Sequence, residues 1–274
     1  MILMENYELE KYAKKIRYLC VKTFLKAGMG HLGGAFSMAD CIAVLFFKYM
    51  KDDPKDWFVL SKGHAGPSYY AALVLKGKIS EEDLLTLNQP GTKVPSHPDR
   101  FKTNGVDCST GSLGQGLSQA VGIAYGLKCQ HREGNVYCII GDGECNEGEI
   151  WEAFEFADHN KLDNLTIIVD NNKRQVDGYT KDVSCKLDFD QIAELFSFTS
   201  VHINGNSIEE LDEAFQLLSK PKKSTGFLIM DTIKGCGISE IEDTDSCHHI
   251  RVDKKMGEIL NKHMEQWKRE IDYE

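Results

Sequence analysis

The sequence predicts an α/β fold in which a central, mostly parallel sheet is flanked by helices. Short apolar runs at residues 136–140, 165–169 and 226–231 are typical of buried parallel strands. Segments with helical periodicity lie before and between these runs. Because strands that alternate with helices form layered α/β domains, the 274 residues are expected to form a single domain.

The first part of the chain is expected to be helical. Residues 6–27 place apolar side chains at helical spacing with Lys and Glu between them, which indicates an amphipathic helix. A second helix is predicted to begin near Ser37, whose hydroxyl would cap it with Asp40 at the third position. A third helix is predicted to begin near Ser80.

The middle of the chain predicts a strand–helix–strand unit. Residues 112–128 are rich in small side chains and indicate a helix that packs closely against its neighbours. The first strand then runs into Gly141-Asp142-Gly143, a helical pattern covers residues 149–161, and the second strand ends at Asn171-Asn172. A right-handed crossover is expected to bring the two strands side by side.

Asp142 and Asn172 therefore follow two parallel strands and are expected to emerge at the same carboxyl edge, where open α/β sheets bind ligands. Magnesium prefers oxygen ligands and is often held by one or two side chains together with phosphate oxygens. The glycines beside Asp142 would let backbone N–H groups approach a phosphate. Either motif alone is compatible with a plain turn or a strand-end cap, but together they favour a site for a metal-bridged diphosphate.

Composition excludes several classes of function. A formal charge of −10 argues against nucleic-acid binding, which needs clustered Lys and Arg. No apolar run reaches the roughly 18 residues of a membrane span, and no signal peptide precedes the first helix, so a cytoplasmic protein without membrane contacts is expected. The nine cysteines contain no Cys-x-x-Cys pair, which argues against a zinc ribbon and favours reduced thiols.

The Gly-Asp-Gly and Asn-Asn pairing resembles the thiamine diphosphate motif, and the neighbouring motifs are similar to those of the transketolase family. They are Gly30-His31-Leu32-Gly33-Gly34, Leu60-Ser61-Lys62-Gly63-His64 and Thr110-Gly111-Ser112-Leu113-Gly114-Gln115-Gly116. This resemblance implies the three-layer thiamine diphosphate-binding fold. It also implies that residues 1–274 form the diphosphate-binding domain of the transketolase type.

The resemblance implies a role for each residue that matches a family motif. Magnesium, or Ca²⁺ or Mn²⁺ in its place, would be bound by Asp142, Asn172 and the backbone carbonyl of Arg174. Thiamine diphosphate would be contacted by His64, Gly111, Ser112, Leu113, Gly143, Asn172 and His248. The histidines facing the substrate and the reacting carbon would be His31, His97 and His248, with His249 as the alternative to His248.

The activity implied is transfer of a two-carbon ketol unit from a ketose or its phosphate to an aldose or its phosphate, as in the pentose phosphate pathway. The family's pyrimidine-binding and C-terminal domains are expected on a separate C-terminal subunit, in a heterotetramer. Glu147 is assigned either to a network of carboxylates between subunits or to a favourable position at a helix start. Leu32 and Phe36 depart from the usual family pattern. These two differences concern the substrate more than the binding of the cofactor.

Three other functions remain open at this point. The motifs are also compatible with the alpha-type subunit of a 2-oxo acid dehydrogenase or with a deoxyxylulose phosphate synthase-like enzyme. A sensor that binds thiamine diphosphate without catalysis is the alternative of another class. His131, His159, His202 and His263 lack a motif and are interpreted as surface or core residues.

Overall fold

The computed structural model of the chain describes residues 5–176 and 178–272. The helices are α1 (Asn6–Ala27), α2 (Leu32–Ser37), α3 (Ala39–Val44), α4 (Gly66–Leu75), α5 (Glu81–Leu84), α6 (Gln115–Cys129), α7 (Gly148–His159), α8 (Thr180–Val183), α9 (Phe189–Leu195), α10 (Ile208–Leu218) and α11 (Lys254–Asp272). A π-helical turn at Leu45–Tyr49 and 3-10 turns at Gly63–Ala65 and Gly143–Asn146 accompany them. The strands are β1 (Met29–Gly30), β2 (Trp57–Leu60), β3 (Val136–Gly141), β4 (Leu165–Asn171), β5 (Arg174–Gln175), β6 (Gly178–Tyr179), β7 (Thr199–Asn204), β8 (Gly226–Asp231) and β9 (Ile250–Arg251).

A parallel sheet with the strand order β2-β3-β4-β8-β7 forms the centre of the molecule. Its side chains alternate between two apolar clusters, because successive residues of a strand point to opposite faces. Ile139 and Ile168 belong to the cluster that contains α1, α3, α4, α10 and α11. Cys138 and Ile167 belong to the cluster that contains α6, α7 and α9. Helices thus cover both faces, and the predicted three-layer α/β fold is confirmed.

Most of the predicted elements are present. The helix over residues 6–27 and the strand over 226–231 have the predicted bounds, and the strands beginning at residues 136 and 165 extend by one and two residues. The Ser80 hydroxyl accepts a hydrogen bond from Asp83 N at 3.0 Å and caps α5. β2, β7 and α4 were not predicted.

The predicted cap at Ser37 is wrong. Ser37 is the last residue of α2, and α3 begins at Ala39 with no side-chain cap. Its hydroxyl lies 3.2 Å from the Gly34 carbonyl and 2.6 Å from Asp170 Oδ2, a partner on the central sheet. A buried carboxylate attracts the hydroxyl more strongly than a helix terminus does.

The outer helices frame the site without entering it. α1 packs against α3, α4 and α11, and α11 is attached to the preceding loop by a 2.7 Å contact between His263 Nε2 and Glu240 Oε2. Among the helices of the described residues, none is both long and apolar enough to cross a bilayer.

Candidate active site

An open cavity lies at the carboxyl edge of the sheet, where β3 and β4 end. Its wall brings together seven of the residues to which a metal, cofactor or substrate role was assigned: His64, Leu113, Asp142, Gly143, Asn172, Arg174 and His248. These residues come from five separate segments of the chain. The edge predicted from the strand pattern is therefore the place where the motifs converge.

Asp142, Asn172 and Arg174 present oxygen atoms of three kinds. Asp142 is 3% exposed, and its carboxylate accepts hydrogen bonds from Gly143 N at 2.8 Å and Thr180 Oγ1 at 3.2 Å. The amide nitrogen of Asn172 donates to Asp170, while its oxygen accepts from Arg174 N at 3.2 Å. The Arg174 carbonyl accepts from Lys234 Nζ at 3.0 Å. One carboxylate, one amide oxygen and one carbonyl form a donor set that suits a hard divalent cation.

The electrostatics of Asp142 also fit a cation. Burial, and next the charge of Asp170, raise the pKa of Asp142 to about 6. A buried carboxylate with so few donors is costly when ionised, and a bound cation would offset that cost. No group of three or more His, Cys, Asp or Glu side chains suited to a metal occurs in the described ranges, so the fit rests on this mixed set.

A buried ion pair lies behind the cavity. Lys62 is 1% exposed and contacts Asp170, which also accepts hydrogen bonds from Ser37, Asn172 and Thr232. Burial by itself would raise the pKa of Asp170, but Lys62, Ser37 and Thr232 keep it below its usual value. Asp170 is therefore ionised and its charge is matched locally. The cavity itself is lined by other carboxylates, among which Asp142 has a raised pKa and belongs to the oxygen donor set.

Glu144 connects the glycine-rich loop to the strand ends. Its carboxylate accepts hydrogen bonds from Ser61 Oγ at 2.5 Å, Gly114 N at 2.8 Å and Gly141 N at 3.0 Å. The loop that contains Gly111, Ser112 and Leu113 ends at this contact. Glu144 therefore holds the loop against the cavity.

Five histidines cluster at the outer side of the cavity. The ring of His31 lies 5.6 Å from His64, 6.2 Å from His97, 5.4 Å from His248 and 4.7 Å from His249, measured between centroids. His248 lines the cavity, and its Nδ1 is buried and has no hydrogen-bond partner among the residues that the structure describes. His249 is exposed beyond His31. Of the two adjacent histidines, His248 is the one that faces the cavity.

Four of the five histidines are held neutral, namely His31, His64, His97 and His248. Burial, followed by the neighbouring His249 and His97, lowers the pKa of His31 to about 4. Burial and Lys234 lower the pKa of His248 to about 3, and burial also lowers the pKa of His64 and His97. Neutral imidazoles can donate one hydrogen bond and accept another, as sugar hydroxyls require.

The remaining predicted residues adjoin the cavity. A Cβ added at Gly111 would lie 3.3 Å from the ring of His97, so the glycine lets the loop pass beside that histidine. Ser112 is exposed. His202 and His263 contact Asp190 and Glu240 away from the cavity, in agreement with their interpretation as structural residues.

Two ammonium groups of the cavity were not singled out from the sequence. Lys62 belongs to the Leu60-Ser61-Lys62-Gly63-His64 motif. Lys234 follows β8 by three residues, so the tendency of open α/β sheets to bind ligands at the carboxyl ends of their strands could have identified Lys234. Burial, followed by Lys62, lowers the pKa of Lys234. Lys62 is matched by Asp170, whereas Lys234 has no carboxylate partner among the described residues. The ammonium group of Lys234, together with His248 Nδ1, therefore fits a ligand with negative oxygens.

Comparison with known proteins identifies the family. Residues 9–264 match the family model described as transketolase, thiamine diphosphate binding domain. The chain is 40% identical over 259 residues to the 6-deoxy-6-sulfo-D-fructose transketolase subunit of a Clostridium species, with 92% of this chain and 94% of the relative covered. It is 38% identical over 250 residues to one subunit of the apulose-4-phosphate transketolase of Actinobacillus succinogenes, with 88% and 90% covered.

Longer transketolases match over part of their length. Human transketolase is 38% identical over 270 residues, which cover 92% of this chain and 41% of that protein. The crystal structure of transketolase from Campylobacter jejuni superposes with a TM-score of 0.89 at 31% identity and covers 97% of this chain and 43% of that one. The chain thus spans less than half of these longer relatives. All four relatives are named transketolases, which favours that function over the dehydrogenase and deoxyxylulose phosphate synthase alternatives.

Proposed function

This chain belongs to the transketolase family, and from that premise we propose that it works as the N-terminal subunit of a two-chain transketolase. The observation that carries the proposal is the pattern of coverage. Two relatives that are named transketolase subunits match over 94% and 90% of their own length, whereas human transketolase matches over 41%. In this proposal residues 1–274 are a single diphosphate-binding domain, whose outermost residues lie outside the described ranges.

The cavity is proposed to hold the diphosphate of thiamine diphosphate and its metal ion. Asp142, the amide oxygen of Asn172 and the carbonyl of Arg174 would bind Mg²⁺, with Ca²⁺ or Mn²⁺ as substitutes. Backbone N–H groups at Gly143 and along 111–113, together with His64, would contact the diphosphate. Lys62 and Lys234 supply positive charge beside it. When bound, thiamine diphosphate supplies the nucleophilic carbon on which the breaking and forming of carbon–carbon bonds depends.

The histidine cluster is proposed to bind the sugar. Because His31, His97 and His248 have lowered pKa values, they would meet hydroxyl groups as neutral rings that both donate and accept hydrogen bonds. His248 lies closest to the diphosphate cavity and is the residue proposed to accept or return a proton at a substrate hydroxyl. The substrates would be a ketose and an aldose, or their phosphates.

A separate C-terminal subunit is proposed to complete the site in a heterotetramer. Its contact surface on this chain is proposed to lie on α6 and α7, which both begin at the cavity, next to Leu113 and Glu147. On these helices Tyr125 and Phe156 are 41% and 42% exposed and form an edge-to-face pair at 5.4 Å. Exposed apolar side chains on two helices that begin at the cavity suit a partner that must also reach the cofactor. Glu147 would lie at this contact, and a cytoplasmic location is proposed for the assembly.

Reconstitution tests this function. The chain and its candidate C-terminal subunit, produced separately, are assayed for ketol transfer with thiamine diphosphate and Mg²⁺, first apart and then mixed. We expect turnover only in the mixture. Robust turnover by this chain alone would refute the two-chain assignment, and an assembled complex that binds cofactor without turnover on any ketose would favour the sensor alternative.

A further inference from the structure

The side chain of Arg174 makes contacts that the proposed metal site does not explain. The residue is 7% exposed, and its guanidinium contacts the Asp243 carboxylate through Nε and the Asp245 carboxylate at 2.9 Å through Nη1. Its Nη2 donates to the Asp243 carbonyl. The guanidinium also lies over the ring of Tyr179 at 4.0 Å, and the Tyr179 hydroxyl lies 3.0 Å from Asp243. We call this group, formed by Arg174, Tyr179, Asp243 and Asp245, the arginine clamp.

The clamp joins two loops that border the cavity. The first loop, which contains Asn172 and Arg174, carries two of the three oxygens of the proposed metal site. The second loop runs from Lys234 to His248. Its ends are fixed by backbone hydrogen bonds, since Asp243 N donates to Lys234 O at 2.9 Å and Gly33 N donates to Cys247 O at 2.9 Å.

Asp243 adopts an unusual backbone conformation at the centre of the clamp. Its φ angle is 53°, in the left-handed region that non-glycine residues seldom occupy. Such a conformation persists where surrounding contacts compensate for its cost. Arg174 and Tyr179 supply contacts to both oxygens of the Asp243 side chain.

We propose that the arginine clamp is a positioning device that couples the metal site to His248. The main chain of Arg174 offers a carbonyl to the metal while its side chain holds the loop that carries His248. Fixing one loop therefore fixes the other. This inference rests on the proposed function, because it takes the Arg174 carbonyl as a metal ligand.

The direction in which Mg²⁺ affinity changes in Arg174→Met distinguishes this positioning role from a purely electrostatic one. Replacing Arg174 with Met keeps the carbonyl and most of the apolar stem but removes a positive charge near the metal. Coulomb's law alone predicts tighter Mg²⁺ binding after that change. A positioning role predicts weaker binding by about ten- to a hundredfold, the usual loss when the support of a metal ligand is removed.

The experiment uses the reconstituted two-chain enzyme and measures Mg²⁺ affinity by calorimetry at saturating thiamine diphosphate. Arg174→Met and the milder Asp243→Asn are compared with Lys173→Met, which removes a 61%-exposed cation one residue away. We expect both clamp variants to bind Mg²⁺ more weakly and Lys173→Met to bind it at least as tightly as the wild type. The double variant Arg174→Met/Asp243→Asn should lose no more than the worse single variant, because both changes break the same contact.

A second measurement tests the coupling to His248. In the wild type, His248→Gln should lower kcat strongly, whereas in the Arg174→Met background the same change should have a much smaller effect. Circular dichroism and thermal unfolding confirm that each variant is folded, and Arg174→Gln, which also removes the positive charge, serves if Arg174→Met is not. Unchanged Mg²⁺ affinity in folded variants would overturn the positioning role while leaving the proposed function intact. Failure of the wild-type complex to bind Mg²⁺ and thiamine diphosphate would overturn both.

Discussion

At the scale of single residues, Asp142 lies in a position that is costly for an isolated carboxylate. The pKa of this group is raised from 3.8 to about 6, first by burial and then by Asp170. A group whose pKa is higher in the folded chain than in the unfolded chain destabilises the fold as pH rises through the higher value. Without a cation, the fold is therefore less stable above pH 6 than it would be with a neutral residue at this position. Such a cost is typical of functional sites.

The buried histidines predict a pH dependence of stability. His31 and His248 have pKa values of about 4 and 3, against 6.5 for an exposed histidine. When the pH falls below 6.5, the unfolded chain binds protons that the folded chain does not, so these residues make stability decline from pH 6.5 towards pH 4. Urea unfolding of the cofactor-free chain at pH 7 and pH 5 measures this loss.

In His31→Asn and His248→Asn, the loss of stability between pH 7 and pH 5 should be smaller than in the wild type. Replacement of the exposed His131 in the same way should leave the loss unchanged. An equal loss in all four proteins would contradict the assignment of neutral, buried rings.

At the scale of secondary-structure elements, one ion pair connects the ends of three strands. Asp170 lies in β4, and its carboxylate is contacted by Lys62, which follows β2, and by Thr232, which follows β8. Lys62→Met would leave that charge buried without its cation. We expect the free energy of unfolding to fall by about 3–5 kcal/mol, the usual cost of removing one partner of a buried pair.

Denaturant unfolding of the cofactor-free chain measures this effect. Lys128→Met breaks an ion pair with Asp163 in which both side chains are more than a third exposed, and it should cost about 0–1 kcal/mol. If the two variants are equally stable, the pair does not hold the strand ends together.

The surface of α6 carries a prediction about assembly. A Cβ added at Gly122 or Gly126 would meet no atom of the described residues within 4 Å, and Gly122 is exposed, so a longer side chain at residue 122 can extend into solvent. Gly122→Arg removes a glycine from a helix interior, which favours the isolated chain by up to about 1 kcal/mol. The same arginine would occupy the proposed contact surface, and we expect it to prevent association with the C-terminal subunit.

Co-purification and analytical ultracentrifugation measure that association. Gln216→Arg, an exposed change on α10 at the other face of the sheet, is the matched control and should leave association intact. Normal association of a folded Gly122→Arg variant would place the partner elsewhere.

The elements differ in how well the sequence predicted them, and the reasons are physical. α1 and β8 were predicted with their bounds because each carries a clear apolar period or run. β7 lies at the edge of the sheet with mostly exposed side chains, so its sequence lacks the apolar signal of a buried strand. α4 has apolar and small side chains on all sides and is almost entirely buried, which removes the amphipathic period.

The residues of the site also differ in how well the sequence predicted them. Asp142 and Asn172 could be placed together because residues that follow parallel strands share one edge of the sheet. The contact between Ser37 and Asp170 joins residues 133 positions apart, and local patterns favoured a helix cap instead. The arginine clamp was also missed, because nothing near Arg174 in the sequence indicates the loop that it contacts.

At the scale of the whole molecule, the layers of the fold account for the position of the cavity. Parallel strands buried between two layers of helices end together at one edge, and loops from separate parts of the chain enclose the space beyond it. The charges there are arranged around Asp142, with Lys62 and Lys234 beside it and neutral histidines further out. This arrangement suits a diphosphate with its metal ion on the inner side and a sugar on the outer side.

Calorimetric titration of thiamine diphosphate into the reconstituted two-chain enzyme, with and without Mg²⁺, tests this account most directly. We predict Mg²⁺-dependent uptake by the wild type and its loss in Asp142→Asn. Without cofactor, the free energy of unfolding of the Asp142→Asn chain at pH 8 should be at least as large as that of the wild type. Uptake by Asp142→Asn with unchanged affinity, or no uptake by an assembled wild-type complex, would contradict the account.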